Sequence, residues 1–240
     1  MTATTPAPTP SVNADVRPPR PVVSHPIARL GAPIALLIGS IMAVVGQGLH
    51  IPAMAEDVGI VIAIAEAPSA WMASHLLLGF GFALVAMGVA ATLPRRRGRG
   101  AGLTAAGVII VSLGAAVMAL GDIAHGALGF ALIEPVDAAT SFEVQKAYYE
   151  GPMAPGLNLG TMLLPLGMIL AGVGLLRSRL HARWVGIVIA LSPFAVQASF
   201  ALDLPTYLHL IPFAIGMSVY AMAVVRGPQD AHGGGAAAAA

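Results

Sequence analysis

Between residues 30 and 225 the chain alternates long apolar stretches with short charged connections. Runs free of Asp, Glu, Lys and Arg cover 30–55, 67–94, 100–121, 151–176, 184–202 and 204–225. Each has 19 or more residues, and about 20 apolar residues carry a helix across the hydrocarbon core of a bilayer. The pattern therefore predicts an all-α integral membrane protein, a six-transmembrane-helix bundle within 28–226, with spans at about 30–52, 69–94, 101–132, 155–176, 184–202 and 205–225. The third run continues past Asp122, so its helix is expected to reach the headgroup layer. The stretch VGIVIAIA (58–65) is apolar but too short to cross, and is expected to lie in or on the outer interface.

The ends of the chain read differently. Residues 1–26 hold seven prolines among Thr and Ala, and GGGAAAAA closes the chain. Neither composition can bury a core, so 1–27 and 227–240 are expected to be disordered tails. The AMA at 53–55 resembles a signal-peptidase site, but the preceding run is about twice the length of a signal-peptide apolar region, so the first span is expected to stay uncleaved.

Charge sets the expected orientation. Arg17, Arg20 and Arg29 precede span one, Arg95, Arg96, Arg97 and Arg99 join two and three, Arg177, Arg179 and Arg183 join four and five, and Arg226 follows six. Every arginine thus falls on one side, whereas Lys146 and most of the acids fall on the other. The positive-inside rule then places both termini in the cytoplasm, with the plasma membrane as the expected location. Trp71, Tyr148, Tyr149 and Tyr207 fall near outer ends and Trp184 near an inner end, as amphipathic rings do.

Composition agrees and narrows the chemistry. The chain is 57% hydrophobic and 10% charged, with a mean hydropathy of +0.83, so its intended solvent is lipid. A net charge of +1 without a basic face argues against nucleic acid as a partner. The absence of cysteine removes disulfides, thiolate metal sites and cysteine nucleophiles. Small residues recur where helices approach, including the G-x-x-x-G of GLNLG (156–160), which suits tight packing and would also suit a homo-oligomer or a membrane partner subunit. Pro165, Pro193 and Pro212 fall inside spans four to six and are expected to kink them, while spans one to three are read as lacking an interior proline.

Depth turns the scattered histidines into a layer. At about 1.5 Å per residue from the cytoplasmic ends, His50, His75, His125 and His209 stand roughly 30, 28, 36 and 24 Å up. Gln47, Asp122, Asn158 and Asp203 fall at about 26 to 32 Å on the same scale. Gln47/His50, Asp122/His125 and Thr206/His209 are i,i+3 pairs, which gives each imidazole a polar neighbour on its own face. The expectation is an outward-facing pocket in which the four histidines converge, Asp122 orients or joins them, Gln47, Asn158, Thr206 and Asp203 line it, and the acidic 133–154 loop partly covers it.

Such a layer suits several chemistries. Three or four imidazoles with Asp122 would hold Zn, Cu or Fe. Two facing imidazoles with glycines beside them would hold haem b. Either would serve redox or metal-handling chemistry at the outer face. Intramembrane His and Asp can instead line a substrate or proton path in a small transporter or sensor, and an accessory subunit would need no cofactor. A rhomboid-type protease is excluded, since GLNLGTM stands in span four where G-x-S-G would be needed.

Overall fold

The computed structural model describes residues 26–50, 59–93, 98–132, 137–151, 154–179 and 181–226. The expected tails before residue 26 and after 226, the Ala55 junction, and the side chain of Thr206 fall outside the described residues.

In lipid every backbone amide and carbonyl must be paired within the protein, which for apolar runs of this length means helix. The described chain is all-helical: α1 (Pro26–Leu49), α2 (Gly59–Glu66), α3 (Pro68–Ala90), α4 (Ala101–Ala131), α5 (Ala138–Glu150), α6 (Ala154–Ser178), α7 (Arg183–Ala201) and α8 (Ile211–Arg226), with a 3-10 turn at Thr206–Leu208. Pro68 opens α3, where its missing amide costs nothing. Asp137 caps α5 by accepting the Thr140 amide at 3.0 Å. Gly100, at φ 82, opens α4 in a left-handed turn pressed against the Gly174 carbonyl of α6, a place that admits no side chain.

Five helices, α1, α3, α4, α6 and α7, are long and apolar enough to cross a membrane. The expected sixth span is shorter than its apolar run. Pro205, the 3-10 turn and Pro212 interrupt it, so regular helix begins at Ile211 and runs 16 residues, or about 24 Å against a hydrocarbon core of about 30 Å. Pro212 accordingly opens α8 rather than kinking it. Pro33, which the sequence reading passed over, lies inside α1. Most of the short apolar stretch expected at the interface falls in the helix α2, Gly59–Glu66. The 133–154 segment is largely the helix α5 rather than a loop.

The six long elements close into a ring in the order α1, α3, α4, α6, α7, α8 and back to α1, each packed on its two neighbours. Glycines set the closest approaches: Gly39 and Gly81 between α1 and α3, Gly107 and Gly167 between α4 and α6, and Gly172 and Gly186 between α6 and α7. The centre of the ring toward the arginine-bearing connections is filled by buried Val85, Val89, Val108, Val111, Ile189 and Met217. There the Tyr220 hydroxyl meets Thr92 Oγ1 at 2.7 Å, so the buried phenol is paired. The outside of the ring is apolar as well. Leu120, Met162 and Ile41 are 71%, 70% and 61% exposed, the surface expected of helices that face lipid rather than water. The short helices α2 and α5 pack together at the end remote from the arginines, with Val61 and Ile64 of α2 and Ala138 and Phe142 of α5 around Trp71.

Candidate functional site

Two arrangements occupy the remote half of the bundle. The first is an aromatic and imidazole cluster beneath α5. Trp71, His75 and His125 are buried at 0%, 1% and 5% exposure. The indole lies with its ring centroid 5.5 Å from His50, 4.1 Å from His75 and 5.0 Å from His125. His75 is 4.9 Å from His50 and 4.8 Å, edge-on, from His125. Glycines make the space: a Cβ at Gly126 would strike His75, and one at Gly129 would strike the Trp71 indole. Tyr148 of α5 closes the cluster by stacking on His125 at 5.4 Å and 10° and donating its hydroxyl to the Gly121 carbonyl at 2.8 Å. Burial, and then the charge of Asp122, hold the Tyr148 phenol above its usual pKa of 10.0.

Hydrogen bonds order these rings. His75 Nδ1 lies 2.8 Å from the Trp71 carbonyl, which can only accept, so that nitrogen carries the proton. In a neutral His75 the other nitrogen, Nε2, is then an acceptor. It stands 3.1 Å from His125 Nδ1, which must donate. Ser74 Oγ also donates to the Trp71 carbonyl and lies 3.1 Å from His75 Nδ1.

The second arrangement is a cavity of about 180 Å³ on the axis of the ring. All six ring elements contribute to its wall: Gln47 from α1, Phe82 from α3, Asp122 from α4, Thr161 from α6, Gln197 from α7 and Phe213 from α8. Met168, whose side chain is buried, separates it from the packed core on the arginine side. Thr161, Gln197 and Phe200 line it while remaining exposed, which puts its mouth at the remote end of the α6/α7 pair. Both wall prolines have backbone consequences. Pro193 removes the amide that would pair with the Ile189 carbonyl, and Ser192 Oγ donates to that carbonyl instead, at 3.0 Å. Pro165 likewise removes the amide partner of the Thr161 carbonyl. Asp122 Oδ2 is buried and has no hydrogen-bond partner among the described residues.

The expected pocket residues thus divide. His50, His75 and His125 come together. His209 does not join them: its ring packs on Phe200 at 3.9 Å and its Nε2 donates to the Leu204 carbonyl at 2.7 Å. Asp122 and Gln47 face the axial cavity instead of orienting the imidazoles. Asn158 is exposed and offers its carbonyl to Thr161 Oγ1 at 2.8 Å. Asp203 is exposed in a left-handed turn after α7, at φ 50. Sequence reasoning missed Thr161 and Gln197 as cavity residues, although both are polar side chains within apolar runs, and read Trp71 and Tyr148 only as interfacial rings.

The fit to a metal or haem is poor. Both nitrogens of His75 are committed, one to a backbone carbonyl and one to His125. Two imidazoles on a haem iron would stand about 4 Å apart, nitrogen to nitrogen, at about 2 Å per bond, with the macrocycle between them. The His75–His125 contact at 3.1 Å leaves no such gap, and the space beside Gly126 and Gly129 is taken by His75 and Trp71. Among the described residues no group of three or more His, Asp or Glu is arranged to hold a metal ion. No family model, curated protein or solved structure matches the chain.

Proposed function

We propose that this is a plasma-membrane protein of six crossings, α8 included, with the arginine-bearing end and both termini in the cytoplasm, and that it binds a small molecule in the axial cavity from the outer side, as a carrier or a sensor. Arginine asymmetry supports the orientation. The observation that carries the binding role is the cavity itself: mostly apolar walls, a few converging polar groups and contributions from every ring helix, the make-up of small-molecule sites. Its floor of packed Val, Ile and Met makes it a pocket rather than a pore. The histidine cluster braces α3 against α4 without lining the cavity.

Calorimetry tests this on the full chain in nanodiscs, with protein-free discs as the blank and benzyl alcohol, benzylammonium and benzoate as probes. Saturable one-site binding of at least one probe, abolished when the cavity is filled by Val196→Trp, is the expected result. Absence of saturable binding for all three, or undiminished binding by the filled variant, would overturn the reading.

A further inference from the structure

Resting on the pocket reading above, we infer that the molecule bound in the axial cavity is a small organic cation, an ammonium or related donor group on a compact apolar body, with Asp122 as its counter-ion.

The polar groups of the cavity are biased toward acceptance. Asp122 is one of the lining residues, its Oδ2, itself buried, has no hydrogen-bond partner among the described residues, and neither Lys nor Arg is among the cavity's described lining residues. A lone buried carboxylate is costly, and a buried charge is ordinarily paired. Pro165, also in the wall, has no amide to give the Thr161 carbonyl its usual helical partner. The Thr161 hydroxyl has its proton committed to the Asn158 carbonyl, so toward a ligand it too can only accept. The Gln47 and Gln197 carboxamides can turn either end inward. A ligand matched to this set brings donors and positive charge.

The walls and the volume select the rest of the molecule. Phe82 and Phe213 pack at 5.7 Å, tilted by 54°, and with Phe200 they line the space around Asp122's cavity. Aromatic faces attract a cation held within about 6 Å. A cavity of about 180 Å³ is slightly larger than the roughly 150 Å³ that admits benzene, so it takes one ring or a short branched chain plus a head group. The same chemistry could arrive as a free amine from the outer solution or as the ammonium head of a lipid reaching the mouth between α6 and α7.

The three benzyl probes differ in charge at nearly constant shape, which makes them the test. In nanodiscs of anionic phosphatidylglycerol, benzylammonium should bind at least tenfold more tightly than benzyl alcohol, and benzoate more weakly than both. Asp122→Asn should erase the preference for the cation while leaving alcohol affinity within about threefold, a change of less than about 0.7 kcal/mol. Phe200→Leu should weaken the cation more than the alcohol. Equal or tighter binding of the alcohol, or a preference that survives Asp122→Asn, would sink the cation inference and leave the pocket reading standing; failure of all three probes would sink both. Repeating the titration in phosphatidylethanolamine discs separates the sources when read as the ratio of benzylammonium affinities of the unsubstituted chain and Asp122→Asn, in which the surface potential of the disc cancels: a lipid head group as occupant lowers that ratio, and a free amine as occupant leaves it unchanged.

Discussion

His75 accepts a hydrogen bond from His125 across the α3/α4 seam, Nε2 to Nδ1 at 3.1 Å, and the direction of that bond is set by the Trp71 carbonyl on the far side of the His75 ring. One backbone oxygen thus fixes the tautomer of two side chains 50 residues apart in sequence.

The pair should behave as a unit. His125→Ala leaves a buried imidazole nitrogen of His75 without its donor, at a cost of about 1–3 kcal/mol. His75→Ala should cost a similar amount, and the double variant clearly less than the sum. Thermal or denaturant unfolding of the four proteins in detergent, arranged as a double-mutant cycle, measures the coupling. Strict additivity would mean that the contact contributes nothing.

Gly129→Ala should displace the Trp71 indole, since the new methyl falls on it. Overpacking of this kind costs about 1–3 kcal/mol. The chain's other tryptophan, Trp184, is 47% exposed, so in a Trp184→Phe background the emission reports on Trp71 alone. A red shift and faster quenching on Gly129→Ala are expected, and an unchanged spectrum would contradict the packing described.

Ser192 and Pro193 should be coupled. Ser192→Ala deprives the Ile189 carbonyl of its hydroxyl donor and should lower stability by about 0.5–1.5 kcal/mol. When Pro193→Ala restores a backbone amide at the same turn, the serine should lose this role. The loss caused by Ser192→Ala, measured by melting temperature, should therefore be smaller in the Pro193→Ala background.

Helix α5 should have a docking window bounded at both ends of the pH scale. Asp137 at its start is held below its ordinary 3.8, chiefly by the Thr140 amide and then by the Thr140 hydroxyl. A lowered folded value means that this cap's contribution is complete above the ordinary carboxylate value and disappears as pH falls through the lower folded one. Tyr148 near its end is raised above 10.0, first by burial. Its contribution is complete below 10 and disappears as pH climbs through the raised value. Hydrogen exchange of 138–150 as a function of pH should show protection lost at both limits. Asp137→Ala should abolish the acid limit and Tyr148→Phe the alkaline one.

How much of this was legible in the sequence differs from residue to residue. The bundle was legible because charge-free runs of about 20 residues have few other physical solutions, whereas the helical state of α2, eight residues ending in Glu66, was not, since so short an apolar run shows no decisive period. The site was only half legible, because counting residues gives height along a helix but not the neighbour it faces. Asp122 and His125 stand at similar depth and about 60° apart around α4. In a ring that angle separates the axis, where Asp122 lines a cavity, from the α3 seam, where His125 meets His75. His209 shares the height of the other imidazoles but follows a 3-10 turn rather than standing in a regular span, and its ring goes to Phe200. Trp71 reads as a headgroup-level ring until α2 and α5 fold over it, a contact made by segments too short or too polar to be seen as part of the bundle.

Closure of the ring between α1 and α8 carries a consequence for biogenesis. Among the described long helices α1 comes earliest and α8 latest in the chain, yet the two are neighbours, so the circle stays broken until α8 has been made. The closing segment is also the shortest, and on its own it is a poor candidate for insertion. Docking of Phe213 on Phe82 and of Tyr220 on Thr92 supplies contacts that its length does not, making α8 a keystone that waits for a seam already standing in the bilayer.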